Sequence, residues 1–344
     1  MHSPTPSPGP AIVTSVARSV GLLPPGPLTT AELAAAVPDP RERERYVRIW
    51  HGVYRRDDQV DDLRLRSEAL ARIWPEGVLR GRSAALLWGD DSAPPGAPPE
   101  IWLPATRRSR EGRVYRYGAM PSAAVTEVGG LRVTTPLRTC RDLACDLGPE
   151  DAVVAVERMC AAIPGLAGRL AAATAHPSGR GARRFANVAA AIDRRSVSAE
   201  SSRARLRLAA AGFDGFRADH RIRIDGRELA LPLADPALRC AVVVPGASPV
   251  ASPGRSSGAG TSPAAGAGAE RHLVALCRAG WTILVVRGPS APANACRPQV
   301  GTVPSDAGGV LPALRSWWPG TTLLPPLLGE PVADPLGIWA VRSA

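Results

Sequence analysis

The alternation of apolar and polar positions near the start of the chain predicts a short helix followed by a β-hairpin. In LTTAELAAAV, Thr30 can cap a helix whose leucines face a core. YVRIWHGVYRR alternates in hydrophobicity, and Gly52 lies where a turn or bulge is expected. A short helix before a basic hairpin indicates a winged-helix-like remnant over residues 28–62.

Helical and strand-like periodicity alternate over residues 63–177. LRLRSEALARIW and GRSAALLWG predict one or two helices, the second ended by Gly89. EIWLP and RVYRYG predict a strand pair joined by the basic turn ATRRSREG. GLRVTTPLRTCRDLACDL predicts a strand, a turn and a helix starting near Pro136, and PEDAVVAVERMCAA predicts a further helix. These segments indicate a small α+β middle region.

Two apolar strands followed by a helix and a third strand are predicted near the end of residues 178–287. The first two lie in LALPLADPALRCAVVVPG around an Asp-Pro turn, and the others lie in RHLVALCRAGWTILVV. Several metal-dependent nucleases carry their carboxylates on such an arrangement. These strands carry almost none, so the pattern predicts a nuclease-like α/β core and leaves its chemistry in question.

The remaining segments are rich in Pro, Gly and Ser, which is typical of linkers and tails. LPALRSWW predicts a short helix in the last of them, and GIWAV predicts a strand. The chain as a whole is therefore predicted to be of the α+β class. Its predicted units are a disordered segment at 1–27, the winged-helix-like region at 28–62, the α+β middle domain at 63–177, the endonuclease-like domain at 178–287 with a flexible insertion at 247–270, and a Pro/Gly-rich C-terminal tail at 288–344.

The charge of the chain is strongly basic, with 42 basic residues against 31 acidic residues and a formal net charge of +11. Every one of the basic residues is arginine. The absence of lysine excludes a phosphate-loop lysine, a Schiff-base lysine and a lysine general base. Arginine stays charged and binds phosphate with a bidentate fork, so the surplus favours binding to a polyanion. The alternative is a compositional bias towards Arg and Ala.

Two groups of arginines are the candidate nucleic-acid-binding residues. The alternative for each group is a solvated helix face, and aromatic residues for base stacking are nearly absent from the second. The first group consists of Arg41, Arg43, Arg45 and Arg48. The second is a predicted stripe over residues 178–207 and consists of Arg180, Arg183, Arg184, Arg194, Arg195, Arg203 and Arg207, with Arg205 between the last two.

The six cysteines and the apolar segments bear on metal binding and localisation. No two cysteines form a CxxC pair and none has a histidine at ligand spacing, which argues against a zinc site and favours buried thiols in a reducing compartment. No apolar run approaches the roughly 18 residues of a membrane span, and MHSPTPSPGP does not have the pattern of a signal peptide. We therefore expect a cytoplasmic protein with no membrane association and no cofactor.

Several motifs together carry a resemblance to a known family. HGVYRR, GRSAALLWG, VTTPLRTCRDLA, SVSAESSRARLRLAAAGF and RAGWTILVV follow one another in an order that resembles actinobacterial AbiEi-type antitoxin-like proteins. The similarity spans most of residues 28–287. It implies a winged-helix-like region followed by a domain like the very-short-patch-repair endonucleases of the PD-(D/E)xK superfamily. A nuclease of that superfamily needs carboxylates from a helix and two adjacent strands converging on Mg²⁺.

This chain departs from the family at each position of a catalytic acid. The resemblance places the helix acid at Ser201 and the strand acids at Pro232, Val243 and Pro245. Pro232 cannot donate to a sheet ladder, which suggests an edge or a distorted strand. Weak substitute candidates are Glu200, Glu228 and Asp235, with His220 and His272 as possible neighbours, although Asp235 reads better as a turn residue. The N-terminal region also departs, because only PDPRERER separates its first helix from the hairpin, so a recognition helix is short or absent.

Three hypotheses of function follow. The first is a non-catalytic DNA-binding, antitoxin-like transcriptional regulator with a degenerate nuclease-like domain, whose partners are DNA and a cognate toxin or another protein. The second is a Mg²⁺-dependent DNA endonuclease that uses the displaced acids. The third is a protein-interaction or vestigial protein without DNA binding, in which Trp317, Trp318 and Trp339 contact a partner or pack onto the body.

Overall fold

Helices packed on β-sheets make up the fold, as the predicted α+β class requires. The computed structural model describes residues 23–108, 110–196, 198–224, 226–244, 250–251, 263–286, 309–317, 319 and 321–324. The predictions for residues 1–22, for much of the insertion and for most of the tail, including the strand at GIWAV, lie outside the described residues.

The N-terminal unit is a three-stranded antiparallel sheet in the order β1-β3-β2. Thr29, not Thr30, caps its first helix: the Thr29 hydroxyl accepts a hydrogen bond from the Glu32 N–H, and the Glu32 carboxylate accepts one from the Thr29 N–H. The spacing Thr-x-x-Glu fixes this capping box, so the predicted cap was wrong by one residue. The elements are β1 (Leu28–Thr29), α1 (Thr30–Ala36), α2 (Pro40–Arg43), β2 (Tyr46–Trp50) and β3 (Val53–Arg56).

The middle sheet has five strands in the order β6-β5-β4-β8-β7. The strand pair predicted from EIWLP and RVYRYG is present, and its two strands run parallel, with Glu100 opposite Val114. The connection at 104–113 is therefore a crossing loop and not a hairpin turn. The elements are α3 (Leu63–Ile73), β4 (Val78–Leu79), α4 (Gly81–Leu87), β5 (Glu100–Leu103), β6 (Val114–Tyr117), a 3-10 turn (Ser122–Ala124), β7 (Val125–Val128) and β8 (Leu131–Thr134).

A helical layer follows the middle sheet. Its helices are α5 (Pro136–Asp146), α6 (Pro149–Ala162), α7 (Leu166–Thr174) and α8 (Ala182–Ala191). The predicted boundary at 177 would place α8 with the following domain. Phe185 and Val188 of α8 are instead buried in one core with Met159 of α6 and Leu170 of α7, so α8 packs with the middle region.

The third sheet joins strands that lie far apart in sequence. β10 pairs antiparallel with β9, β11 and β12, while β11 and β13 run parallel across the crossover helix α10, and β14 pairs antiparallel with β13. The elements are α9 (Ala199–Ala210), β9 (Arg217–Ile224), β10 (Arg227–Asp235), β11 (Cys240–Val243), β12 (Val250–Ala251), α10 (Pro263–Arg278), β13 (Thr282–Val285), α11 (Val310–Trp317) and β14 (Thr322–Leu324).

Two segments predicted from composition as linker or tail contribute to this sheet. Strand β12 and the first half of α10 come from the insertion at 247–270, which was predicted to be flexible throughout. Alanine is the best helix former and proline is tolerated at a helix start, so PAAGAGAE can begin a helix despite its linker-like composition. Helix α11, predicted from LPALRSWW, is confirmed, and its Val310 and Leu314 are fully buried against the third sheet.

Candidate functional site

The positions that the resemblance assigns to catalytic acids lie in α9, β10 and β11. Strands β10 and β11 are antiparallel, and Leu233 pairs with Val242. The residue before Leu233, Pro232, therefore lies opposite the residue after Val242, Val243. Ser201 is 1% exposed, and the Ser198 hydroxyl donates a hydrogen bond of 3.0 Å to its hydroxyl. Pro245 lies outside the described residues. The described positions are therefore buried and carry no carboxylate.

Strand β10 is distorted at Pro232, as the sequence suggested, although it is not an edge strand. It pairs with β9 on one side and with β11 and β12 on the other. The β9–β10 register passes from the pair Leu231 and His220 to the pair Leu233 and Ala218. Asp219, opposite Pro232, adopts a left-handed backbone with φ 47°. The irregularity on β9 thus accommodates a residue that cannot donate to the ladder.

The substitute acids of β10 lie too far apart to share a metal ion. Glu228 and Asp235 are seven residues apart on one strand, which corresponds to about 23 Å at the rise of a β-strand. Glu228 pairs with Arg221 at 3.0 Å. Asp235 is buried and accepts hydrogen bonds from the N–H groups of Ala237 at 2.9 Å and Leu238 at 3.2 Å. Asp235 is therefore the turn residue that the sequence favoured.

Glu200 and the two histidines complete the set of nuclease candidates. Glu200 lies in the first turn of α9, half-exposed, and pairs with Arg203 at 3.7 Å. His220 lies on β9 against Trp281, with ring centroids 5.9 Å apart, and burial lowers its pKa. His272 is half-buried on α10. Among the described residues, no group of three or more His, Cys, Asp or Glu is placed to hold a metal ion.

The arginines of α9 are engaged with carboxylates of α6. Arg207 donates to both oxygens of Glu150 over 2.9–3.1 Å, which is the bidentate geometry that suits a guanidinium. Arg205 pairs with Glu157, whose side chain is fully buried. Arg203 lies 3.9 Å from a third α6 carboxylate, that of Asp151, and donates to the Ser92 carbonyl at 3.1 Å. The predicted stripe therefore does not continue as a free surface along α9.

The five remaining arginines of the stripe are all exposed, and they divide into side chains with and without a partner. Arg184 donates to the Cys145 carbonyl at 2.8 Å, and Arg195 lies 3.6 Å from Asp193. The other three, Arg180, Arg183 and Arg194, are exposed, and the structure gives their side chains no hydrogen bond or ion pair with any described residue.

The four N-terminal candidates also differ in their contacts. Arg43 donates to the Val37 carbonyl at 2.6 Å and so ends α1, and Arg45 lies 3.4 Å from Asp57. Arg41 and Arg48 are exposed, and neither side chain has a hydrogen-bonding partner among the described residues. These two are the ones left for a phosphate.

The structure places a further basic segment, the loop at 104–113, over two tryptophans. The Arg107 guanidinium lies 5.1 Å from the centroid of the Trp74 ring, and the Arg113 guanidinium lies 4.1 Å from that of Trp50. Arg113 also donates to the Tyr115 hydroxyl at 3.3 Å. The segment, PATRRSREGR, has four arginines against one glutamate, a surplus of three positive charges.

This loop and the N-terminal hairpin form one surface. Trp50 ends β2, two residues after Arg48, and packs with Trp74 against the core of the middle sheet. We call it the Arg–Trp surface and define it as Arg48, Trp50, Trp74 and the described residues of the loop, 104–108 and 110–113. The sequence showed the basic turn and the aromatic positions separately. It could not show their proximity, because residues 50 and 113 meet only through tertiary packing.

A buried ion cluster joins the start of the motif GRSAALLWG to the motif VTTPLRTCRDLA. The Arg80 side chain is 3% exposed and lies 2.9 Å from Glu100, 3.3 Å from Asp142 and 2.7 Å from Asp146. Glu100 also accepts a hydrogen bond from the Arg82 N–H in the first turn of α4, at 2.9 Å. Burial raises the pKa of Glu100. The cluster holds β5, α4 and α5 together; Arg80, Glu100 and Asp142 are buried, and Asp146 is 26% exposed at its edge.

Comparisons of the chain with protein-family models, with curated proteins and with solved structures find no match. No relative therefore assigns a role to any of these residues. Within the described residues, no helix is both long and apolar enough to cross a lipid bilayer.

Proposed function

We propose that the protein is a non-catalytic nucleic-acid-binding protein, an antitoxin-like transcriptional regulator with a degenerate nuclease-like domain. The observation that carries the proposal is the Arg–Trp surface, where the exposed Arg107 and the half-buried Arg113 lie over the rings of Trp74 and Trp50. Basic side chains interleaved with aromatic rings are the combination that binds a nucleic-acid backbone and stacks on bases.

The stacked arginines provide charge that is already in place before a ligand arrives. Arg107 and Arg113 rest on indole rings, which restrains their guanidinium groups and reduces the entropy lost on binding phosphate. Arg48 lies two residues before Trp50, and Arg108 and Arg110 lie within three residues of Arg107; all three arginines are exposed. Contacts of this kind neutralise phosphates in any sequence, so we expect binding that tolerates sequence and weakens steeply with salt.

The third sheet supports the nuclease-like part of the proposal. Helix α9, the antiparallel strands β9, β10 and β11, the crossover helix α10 and the parallel strand β13 come in that chain order, with the short strand β12 between β11 and α10. The positions that the resemblance reserves for strand acids, Pro232 and Val243, lie side by side on adjacent strands, as a shared metal would require. Apolar side chains now occupy them, so the domain is proposed to contribute packing and not catalysis.

The test is a titration of a fluorescently labelled random duplex with the purified full chain, followed by anisotropy at about 50 and 200 mM salt. One variant removes three exposed charges from the Arg–Trp surface (Arg48→Gln, Arg108→Gln, Arg110→Gln). The matched control removes three exposed charges from the predicted stripe (Arg180→Gln, Arg183→Gln, Arg194→Gln). Circular dichroism confirms that both variants remain folded.

We expect salt-sensitive binding that the first variant weakens. Three lost phosphate contacts reduce the slope of log K against log salt by roughly 2.7, since each contact contributes about 0.9. The stripe variant should keep the slope of the wild type. The reverse pattern would move the interface to the stripe, and absence of binding by the wild type would reject the proposal in favour of a protein-interaction role. Cleavage of the duplex on addition of Mg²⁺ would instead establish an endonuclease.

A further inference from the structure

A cavity of about 950 Å³ opens between five helices, and its lining shares no residue with the Arg–Trp surface. Helices α5, α6, α8, α9 and α11 each contribute to its wall. Small-molecule sites in proteins are concave, mostly apolar and about 300–1,000 Å³ in size, with a few polar groups that fix orientation. The apolar wall of this cavity includes Ala144, Leu147, Val153, Val188, Ala191 and Leu206.

One side of the cavity is polar and carries charge. Arg184 and Asn187 lie three residues apart on α8, which places them on the same face of that helix. Glu150 of α6 and Arg207 of α9 lie on the wall as the bidentate pair described above. Trp317 of α11 adds an aromatic wall, with its ring centroid 5.9 Å from the Arg207 guanidinium.

The charges on the wall do not cancel. Glu150 neutralises Arg207 and holds it in place, which leaves Arg184 as the surplus positive charge. Arg184 donates to the Cys145 carbonyl at 2.8 Å, and no carboxylate of the described residues lies within ion-pair distance of it. A guanidinium has five N–H donors in a planar fork, so one backbone acceptor leaves donors for a carboxylate.

We infer that this cavity binds a small monoanion with an apolar body, its carboxylate on Arg184 and its apolar part against the alanine, leucine and valine side chains and Trp317. The short side chains of Ala191 and Ala210 on facing helices provide the room for the body. An uncharged molecule of the same shape gains the apolar contacts and lacks the ion pair. The negative charge therefore makes the anion the preferred ligand over the uncharged molecule.

The experiment measures binding of octanoate and of octanol to the purified full chain by isothermal titration calorimetry. The two ligands share their alkyl chain and differ in charge. We expect octanoate to bind at least tenfold more tightly than octanol, since a hydrogen bond to a charged group contributes about that factor. We expect Arg184→Gln to weaken octanoate by roughly tenfold and to leave octanol unchanged. The matched control is Arg183→Gln, which removes the same charge one residue away on the same helix, outside the wall of the cavity.

A second variant tests where the apolar part of the ligand binds. Ala210 is exposed at the cavity wall, so Ala210→Trp fills the space without disturbing a buried core, and it should abolish binding of both ligands while circular dichroism stays unchanged. The inference would be overturned if Arg184→Gln and Arg183→Gln changed the affinity for octanoate equally. It would also be overturned if octanoate bound no more tightly than octanol, or if Ala210→Trp left the affinity for octanoate unchanged. None of these measurements involves nucleic acid, so they are independent of the proposed function.

Discussion

Replacing Arg80 with methionine removes the cation at the centre of the buried ion cluster. Methionine keeps much of the length of the side chain. It leaves Glu100, Asp142 and Asp146 without the guanidinium group that lies 2.7–3.3 Å from each of them. Removal of one partner from a buried ion pair costs about 3–5 kcal/mol, because the remaining charge is left uncompensated. We expect Arg80→Met to lower the free energy of unfolding by that amount.

The loss of stability should depend on pH. Burial raises the pKa of Glu100, and the hydrogen bond from the Arg82 N–H and the Arg80 charge oppose that rise. Without Arg80 the pKa of Glu100 in the folded protein rises further above its unfolded value. A raised folded pKa contributes stability that is fully present below the unfolded pKa and is lost as pH rises through the folded pKa. The loss of unfolding free energy in Arg80→Met, relative to the wild type, should therefore be smaller at about pH 5 than at about pH 7.

Urea-induced unfolding followed by tryptophan fluorescence at the two pH values measures both effects. The control is Arg116→Met, because Arg116 is 45% exposed and lies 3.6 Å from Asp146 of the same cluster. An exposed pair of this kind contributes about 0–1 kcal/mol. The reasoning would be refuted if the two variants lost equal stability, or if the deficit of Arg80→Met were the same at both pH values.

Three further predictions concern the helix cap, the turn acid and the thiols. Thr29→Ala should lower the free energy of unfolding by about 1 kcal/mol because it removes the capping box of α1, whereas Thr30→Ala should change it by a few tenths of a kcal/mol. Urea titration of both variants measures the difference. Asp235→Ala should cost about 1–3 kcal/mol because two backbone N–H groups lose their acceptor, and anisotropy should show duplex binding unchanged; weaker binding would return Asp235 to the functional site. Burial raises the pKa of the Cys240 thiol to about 12 and that of the Cys277 thiol to about 11. Both thiols should therefore resist alkylation at about pH 8 in the folded protein and react once it is unfolded in guanidinium. Mass spectrometry of the labelled peptides measures the two rates, and equal rates would contradict the prediction.

Local elements of the fold could be predicted where short-range signals agree. Helix α6 coincides with PEDAVVAVERMCAA, which has proline at its first position, two acids in its first turn and an apolar stripe. The hairpin at Gly52 and the turn at Asp235 follow from turn chemistry of the same kind. Sequence reasoning failed where composition stood in for periodicity, as in the first half of α10.

The pairing of strands and the packing of helices needed the tertiary structure. The parallel pairing of β5 with β6 cannot be read from two short strands and a basic connection, because both directions suit the same alternation. Likewise, the apolar face of α8 matches the helical layer as well as it would match a sheet. Neighbours in space, and not the pattern along the segment, decide between such partners.

The sequence by itself determined the positions of the main helices and strands, the exclusion of lysine chemistry and the absence of a carboxylate at Ser201, Pro232 and Val243. Only the tertiary structure decided which arginines are available to a ligand. Arg207 is bound to Glu150, 57 residues earlier in the chain, whereas the basic loop at 104–113 rests on Trp50 of β2 and on Trp74, the residue after α3. The physical reason is that a charge is neutralised, or left to bind phosphate, by the groups within a few ångströms of it, and folding brings those groups from distant parts of the chain.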